Sequence, residues 1–240
     1  VNKTREITQA DVLFEDNHII AINKSAGQIV QGDKTGDTPL SEYVKQFLKI
    51  KYNKPGNVFA GVTHRIDRPV SGIVLFAKTS KALERLNQMF QEKKIKKTYL
   101  AVSRFKPEPE IGTLVHYLVR NQKNNKSYAH EKEVPGSLKC ELNYELVNKS
   151  DKYFLIKVEP NTGRHHQIRV QLAKMGCVIT GDVKYGDKRA NEDQSVCLHA
   201  YQIQFQHPVS KEEIRITAPL PDFKYWNAFR QFLANQNFQL

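Results

Sequence analysis

Two short segments concentrate the residue types that do chemistry. The first is Thr63-His64-Arg65-Ile66-Asp67-Arg68-Pro69-Val70-Ser71-Gly72. Its Asp67 lies between two arginines, two residues before a proline and just before an apolar run. Nearby guanidinium groups favour the ionised carboxylate and keep it available as a nucleophile or base. On these charges alone, a surface salt-bridge cluster is the plainer account. The second is Asn161-Thr162-Gly163-Arg164-His165-His166-Gln167-Ile168-Arg169. Gly163 permits a sharp turn into a helix on which His165 and His166 would share a face with Arg169. A glycine turn into a helix N-terminus, rich in Arg and His, suits an anion. An ordinary capped helix with a solvated polar face explains the same residues.

Several other chemistries lack their residues. The adjacent histidines have no H-E-x-x-H spacing and no facing Cys/His pair, so no metal site is expected. Gly181-Asp182-Val183-Lys184-Tyr185-Gly186-Asp187-Lys188 imitates a phosphate-binding loop, but Asp187 stands where that loop requires lysine. No G-x-G-x-x-G or G-x-S-x-G occurs, which argues against dinucleotide and serine-hydrolase chemistry, and no cofactor is expected. Cys140, Cys177 and Cys197 are widely spaced and form no C-x-x-C pair, so they read as reduced thiols in a cytoplasmic protein.

The 240 residues carry a net charge of +12, which draws the chain toward polyanions. Twelve Phe, ten Tyr and one Trp offer stacking surfaces for bases. With 40% hydrophobic and 26% charged residues, the composition is that of a globular chain rather than a disordered one. No apolar run approaches the roughly 20 residues a membrane helix needs. The opening Val1-Asn2-Lys3-Thr4-Arg5 has no apolar signal region.

The surrounding pattern predicts the elements that must hold these segments. Val12–Phe14 and Ile19–Ile22 read as strands joined by a tight turn. Thr38, as a capping oxygen, and Pro39, as the first helical residue, start a helix whose Leu40, Tyr43, Val44, Phe47 and Leu48 share a face. Gly72–Ala77 reads as a strand buried on both sides. Ser80 caps the next helix, which Lys93, Lys94, Lys96 and Lys97 close. Thr98–Val102 is a strand, and Arg120–Gly136 a polar, irregular surface excursion. Strands at Leu142–Val147 and Tyr153–Val158 precede a helix around His166–Met175 that Gly176 stops. Apolar runs at Val196–Phe205 and Ile214–Ile216 lead to a last amphipathic helix after Pro221. Strands without regular βαβ alternation indicate an α+β fold with a largely antiparallel sheet and flanking helices. No linker divides the chain, so residues 1–240 read as one catalytic domain.

Taken together, these segments resemble the RluA-type pseudouridine synthases. His64, Arg65, Ile66, Asp67, Ser71 and Gly72 match the pattern H-R-L-D-x-x-x-S-G. Thr162, Gly163, Arg164, His166, Gln167, Ile168 and Arg169 match T-G-R-x-H-Q-I-R. Glu15-Asp16-Asn17-His18, Asn23-Lys24 and Ala26-Gly27 look like the family's opening segment, and Lys97-Thr98-Tyr99 like its K-x-Y. Gly181-Asp182 with Tyr185-Gly186, and then Leu198-His199-Ala200, complete the series. The matches run in family order from about Val12 to Pro221. Ile66, Ser25 and Val70 depart from the usual Leu, Pro and Thr without removing a charged group. The motifs begin so early that no appended N-terminal RNA-binding domain is expected.

The resemblance implies a catalytic cleft across a central sheet and the isomerisation of specific uridines in structured RNA. The RNA would be ribosomal, with transfer RNA the alternative, and no membrane or obligate protein partner is implied. Asp67 would be the essential carboxylate, attacking the anomeric carbon or removing a ribose proton. Tyr99 would stack on the base and take part in proton removal from carbon 5, and Arg169 would pair with Asp67. Arg65 would enter the RNA stack as the uridine flips out. Arg68, Arg164, His166 and the four lysines from Lys93 to Lys97 would contact RNA. Two rivals remain: a catalytically silent RNA-binding protein of this fold, and an RNA hydrolase using His64 or His166 with Asp67.

Overall fold

The computed structural model describes residues 6–235. The opening Val1-Asn2-Lys3-Thr4-Arg5, expected to hold no signal region, lies outside the described residues. The fold is α+β with mostly antiparallel strands and few helices, as the pattern predicts. It divides into two compact units, one drawn from Val1–Lys97 and Ala200–Pro219, the other from Thr98–His199 and Leu220–Leu240.

In the first unit, β1 (Val12–Glu15) and β2 (Ile19–Lys24) form the expected antiparallel pair. Asp16 sets their turn by accepting the backbone N–H groups of His18 and Ile19 through Oδ1. The two-residue β3 (Gly61–Val62) and β2 both pair with β4 (Ser71–Ala77), every residue of which is buried. Further along the chain, β10 (Leu198–Gln206) pairs with β11 (Glu213–Thr217). The helix α2 (Ser80–Gln91) lays Ala82 and Leu86 on Ile19, Ile73, Leu75, Ile203 and Phe205. Each fully buried Leu, Ile or Phe among them contributes about 1.5–3 kcal/mol.

Three boundaries differ from the sequence reading. The helix α1 is Leu40–Lys51, with Pro39 extended at the N-cap and no side-chain cap. Thr38 is not needed there, because the carbonyls of Ile29 and Val30 take the N–H groups of Leu40 and Ser41. Thr79 rather than Ser80 caps α2, its hydroxyl accepting the Ala82 N–H at 3.1 Å. The lysine run lies beyond α2 rather than in its last turn. Lys93 takes the left-handed position (φ 57°) of a Schellman turn, with Lys94 N–H bonded to Met89 O, and Lys96 and Lys97 open β5 (Lys96–Ser103).

In the second unit, β5, β6 (Ile111–Asn121), β7 (Lys126–His130), β8 (Leu138–Lys149) and β9 (Phe154–Pro160) lie in the order β5-β9-β8-β6-β7, all antiparallel. The segment expected to be irregular, Arg120–Gly136, is largely the β6–β7 hairpin. Polar residues on a half-exposed pair left no apolar alternation to reveal it. The helix α3 (Gln167–Lys174) packs Val170 against Leu118 and Cys140 of the sheet, beside Tyr185. It ends as expected, with Gly176 left-handed at φ 92°. The last helix, α4 (Lys224–Asn235), follows Pro221. Cys140, Cys177 and Cys197 are buried free thiols, and burial raises them to about 11, 11 and 12.

Candidate active site

Asp67 sits on the loop between β3 and β4, and the loop is fastened residue by residue. Thr63 donates its hydroxyl to the Leu75 carbonyl at 2.6 Å. His64 accepts the Leu75 N–H on Nε2 at 3.0 Å, and its ring lies 4.9 Å from that of Phe90. Burial, aided by the charge of Lys97, pushes His64 down to about 3. A neutral imidazole committed as an acceptor cannot serve as a proton donor at neutral pH, which weighs against the hydrolase use of His64. Ile66 and Val70 are buried on either side of Asp67, which is itself half-buried. A turn closes Asp67 O on Val70 N–H at 3.0 Å.

The opening segment clamps the next residue. The backbone carbonyl of Arg68 accepts the Gly27 N–H at 2.7 Å and the Lys24 ammonium at 3.2 Å. Lys24 ends a strand of buried apolar residues and is itself 1% exposed. Its Nζ also donates to Ser25 O at 3.0 Å and Gln28 O at 2.9 Å. Burial lowers Lys24 to about 7, against the opposing pull of the Asp67 carboxylate. Lys24 is therefore a buried amine that feels the Asp67 charge, and the sequence reading gave it no role. A single lysine closing Ile19-Ile20-Ala21-Ile22-Asn23 was the available signal. Arg68 is exposed and pairs with Asp37 at 2.7 Å, while Arg65 is exposed.

Gly72 explains the end of this motif. It has φ 110°, and a Cβ there would stand 2.3 Å from the Ala200 carbonyl oxygen. Only a residue without a side chain lets β4 approach that backbone.

The second unit carries Tyr99 and Arg169. Tyr99 is half-buried on β5, opposite Val158. Arg169 lies in the first turn of α3 at 4% exposure and grips Asp182, which is 1% exposed. Arg169 Nε donates to Asp182 Oδ2 at 2.7 Å, and Nη2 to Oδ1 at 2.8 Å. The Tyr185 ring lies 5.2 Å from the guanidinium carbon. The Tyr185 hydroxyl accepts the Ser127 N–H at 2.9 Å and lies 2.9 Å from His166 Nδ1. His165 and His166 precede α3 instead of sharing its face with Arg169. His166 is the left-handed N-cap (φ 55°), with His165 stacked on it at 3.8 Å.

Of the expected RNA contacts, Arg65, Arg68, Lys93, Lys94, Lys96 and Arg164 are exposed, Lys97 is half-buried and His166 is buried. Among the described residues, no group of three His, Cys, Asp or Glu is placed to hold a metal. No helix among them is long and apolar enough to cross a membrane.

Comparison with known proteins gives the family and the fold. The family model described as RNA pseudouridylate synthase matches residues 18–174, spanning the Lys24, Asp67, Tyr99 and Arg169 segments. This chain belongs to that family. The ribosomal large subunit pseudouridine synthase C of Pasteurella multocida is 33% identical over 231 residues, covering 93% of this chain and 68% of the relative. The protein of the same name from Haemophilus ducreyi is 34% identical, with 92% and 68% covered. An uncharacterized RNA pseudouridine synthase of Bacillus subtilis is 33% identical, with 90% and 70% covered. In fold, the chain is similar to Human RNA Pseudouridylate Synthase Domain Containing 4, with a TM-score of 0.76 at 19% identity over 93% of each chain. The RluA-type motifs thus belong to an RNA pseudouridine synthase, an isomerase acting on RNA.

Proposed function

We propose that this pseudouridine synthase converts uridines of ribosomal RNA in the cytoplasm, with Asp67 as the catalytic carboxylate and residues 1–240 working as one catalytic domain. The observation that carries the assignment of Asp67 is its fastening. Thr63, His64, Lys24 and Gly27 hold its loop from both ends, and the buried Lys24 amine feels the charge of Asp67. Such anchoring exceeds what a surface ion pair needs. Asp67 attacks the anomeric carbon or removes a neighbouring ribose proton, and the bond from that carbon to N1 of uracil breaks. The detached base turns and rejoins through carbon 5, whose proton leaves while N1 gains one, so the reaction is redox-neutral. Tyr99 stacks on the base and assists at carbon 5, and Arg169 gives cationic support. Arg65 fills the stack left by the flipped nucleotide. Arg68, Arg164 and the exposed lysines meet phosphates.

Ribosomal RNA is favoured over transfer RNA by the names of the relatives, several of which are ribosomal large subunit synthases. The test is tritium release from carbon 5 of labelled uridine in ribosomal and transfer RNA, for wild type and Asp67→Asn. Wild type should release tritium from ribosomal RNA, and the folded variant should release none. Tritium release by a folded Asp67→Asn protein overturns the carboxylate assignment. Release confined to transfer RNA overturns the substrate.

A further inference from the structure

We infer that Asp182, backed by Tyr185, is a positioning residue that fixes the guanidinium of Arg169; this rests on the reading that Arg169 serves catalysis. A buried ion pair is poor evidence of a stabilising device. Desolvating both charges offsets most of their attraction, and apolar replacements of similar volume are often neutral or better. What such a pair does supply is geometry. Asp182 takes the Nε–Nη2 edge of Arg169 through two parallel bonds of 2.7 and 2.8 Å. That fork sets the plane of the guanidinium and the direction of its Nη1 end.

Three further observations point the same way. Arg169 stands in the first turn of α3, where a cation opposes the helix dipole, so it does not serve the helix. The Tyr185 ring covers the guanidinium at 5.2 Å, and its hydroxyl is tied to Ser127 N–H and His166 Nδ1. The turn that presents Asp182 needs Gly181, which has φ 85° and would drive a Cβ to 2.4 Å from Asn191. Gly181-Asp182 and Tyr185 are thus the frame of the arginine at the end of the other motif. At 1% exposure, Asp182 is too enclosed to touch RNA itself.

The test compares wild type, Asp67→Asn, Arg169→Ala, Asp182→Asn, Asp182→Glu and Tyr185→Phe, assayed well below each melting temperature. Release by wild type, with none by Asp67→Asn and an impaired kcat in folded Arg169→Ala, establishes the underlying reading, and a wild-type kcat in folded Arg169→Ala refutes that reading whatever the Asp182 variants do. Asp182→Glu keeps the charge but moves the carboxylate by one methylene. Misplacement near 1 Å can cost about 100-fold in rate. We expect kcat of Asp182→Asn to fall about 100-fold and that of Asp182→Glu about tenfold. KM and RNA affinity should hold, and Tyr185→Phe should show a smaller loss of the same kind. A purely structural role would lower melting temperatures and leave kcat of the folded protein intact. Wild-type kcat in a folded Asp182→Glu protein, beside an impaired Arg169→Ala, overturns the inference. Should Asp182→Asn fail to fold, Asp182→Glu and Tyr185→Phe decide it by the same readout.

Discussion

His64 Nε2 accepts the backbone N–H of Leu75 at 3.0 Å, while the neighbouring Thr63 hydroxyl serves the carbonyl of the same leucine. The β3–β4 ladder pairs Gly61 with Ala77 and Val62 with Phe76, then stops. Two side chains continue it where the main chain turns away toward Asp67. The loop that carries the carboxylate is thus fastened to the sheet by its own motif.

The depressed His64 gives an acid-stability signature. Its folded value is about 3 against 6.5 when unfolded, so between these the unfolded chain binds the extra proton. Stability therefore falls as pH drops below about 6.5. His64→Gln should cost about 1 kcal/mol at pH 7, and its urea midpoint should fall less than that of wild type between pH 7 and 4.5. Parallel acid slopes in the two proteins would remove His64 from this account.

Lys24 behaves in the same sense in a higher pH window. Its folded value is about 7 against 10.5, so between these the unfolded chain again holds the extra proton and wild-type stability rises with pH. Below pH 7 the cost of burying the ammonium is fully present. Lys24→Met should abolish that alkaline gain. It also strips the carbonyls of Ser25 and Gln28 of a donor, at about 1–3 kcal/mol for each group left unsatisfied, while the Arg68 carbonyl keeps the Gly27 N–H. Urea titrations at pH 7 and 9.5 measure both effects, and an unchanged wild-type–variant difference between the two pH values contradicts the assignment.

Two glycines separate close approach from backbone freedom. Gly136 has φ 75° with nothing near its missing Cβ, so Gly136→Ala should cost about 1–2 kcal/mol. Gly72→Ala adds a clash with the Ala200 backbone to a strained φ of 110°, and about 2–6 kcal/mol is expected. Melting curves that rank the two equally would mean that β4 can shift freely.

The lysines after α2 should tune affinity without touching chemistry. Lys93, Lys94 and Lys96 are exposed. Replacing all three by Ala should weaken RNA binding and flatten the plot of log affinity against log salt by about 0.7–0.9 per lost phosphate contact. kcat at saturating RNA should stay close to wild type. An unaltered slope places the RNA surface elsewhere.

Elements with apolar periodicity were legible in the sequence: β1, β2, β4, the face of α1 and the Gly176 stop of α3. The β6–β7 hairpin was not, because its tip and β7 are polar and largely half-exposed. The start of α1 was misplaced by one residue because tertiary partners, the Ile29 and Val30 carbonyls, replaced a local cap, and that of α2 because Thr79 rather than its neighbour Ser80 is the cap. The motifs marked Asp67, Tyr99 and Arg169 as candidates. They could not show that Asp182 grips Arg169 thirteen residues away, or that Lys24 reaches Arg68, because such contacts are made only by folding.

Three carbonyl oxygens converge on the Lys24 ammonium as they would on a bound potassium ion. Here the cation is tethered to the backbone by four methylenes, so dialysis cannot remove it and sodium cannot take its place. Below about pH 7, where Lys24 is protonated, the turn bearing Asp67 thus keeps its ammonium in any salt, even while polyanion binding elsewhere on the surface weakens as salt rises. Ionic strength should therefore govern how often substrate arrives and leave unaltered the loop it meets.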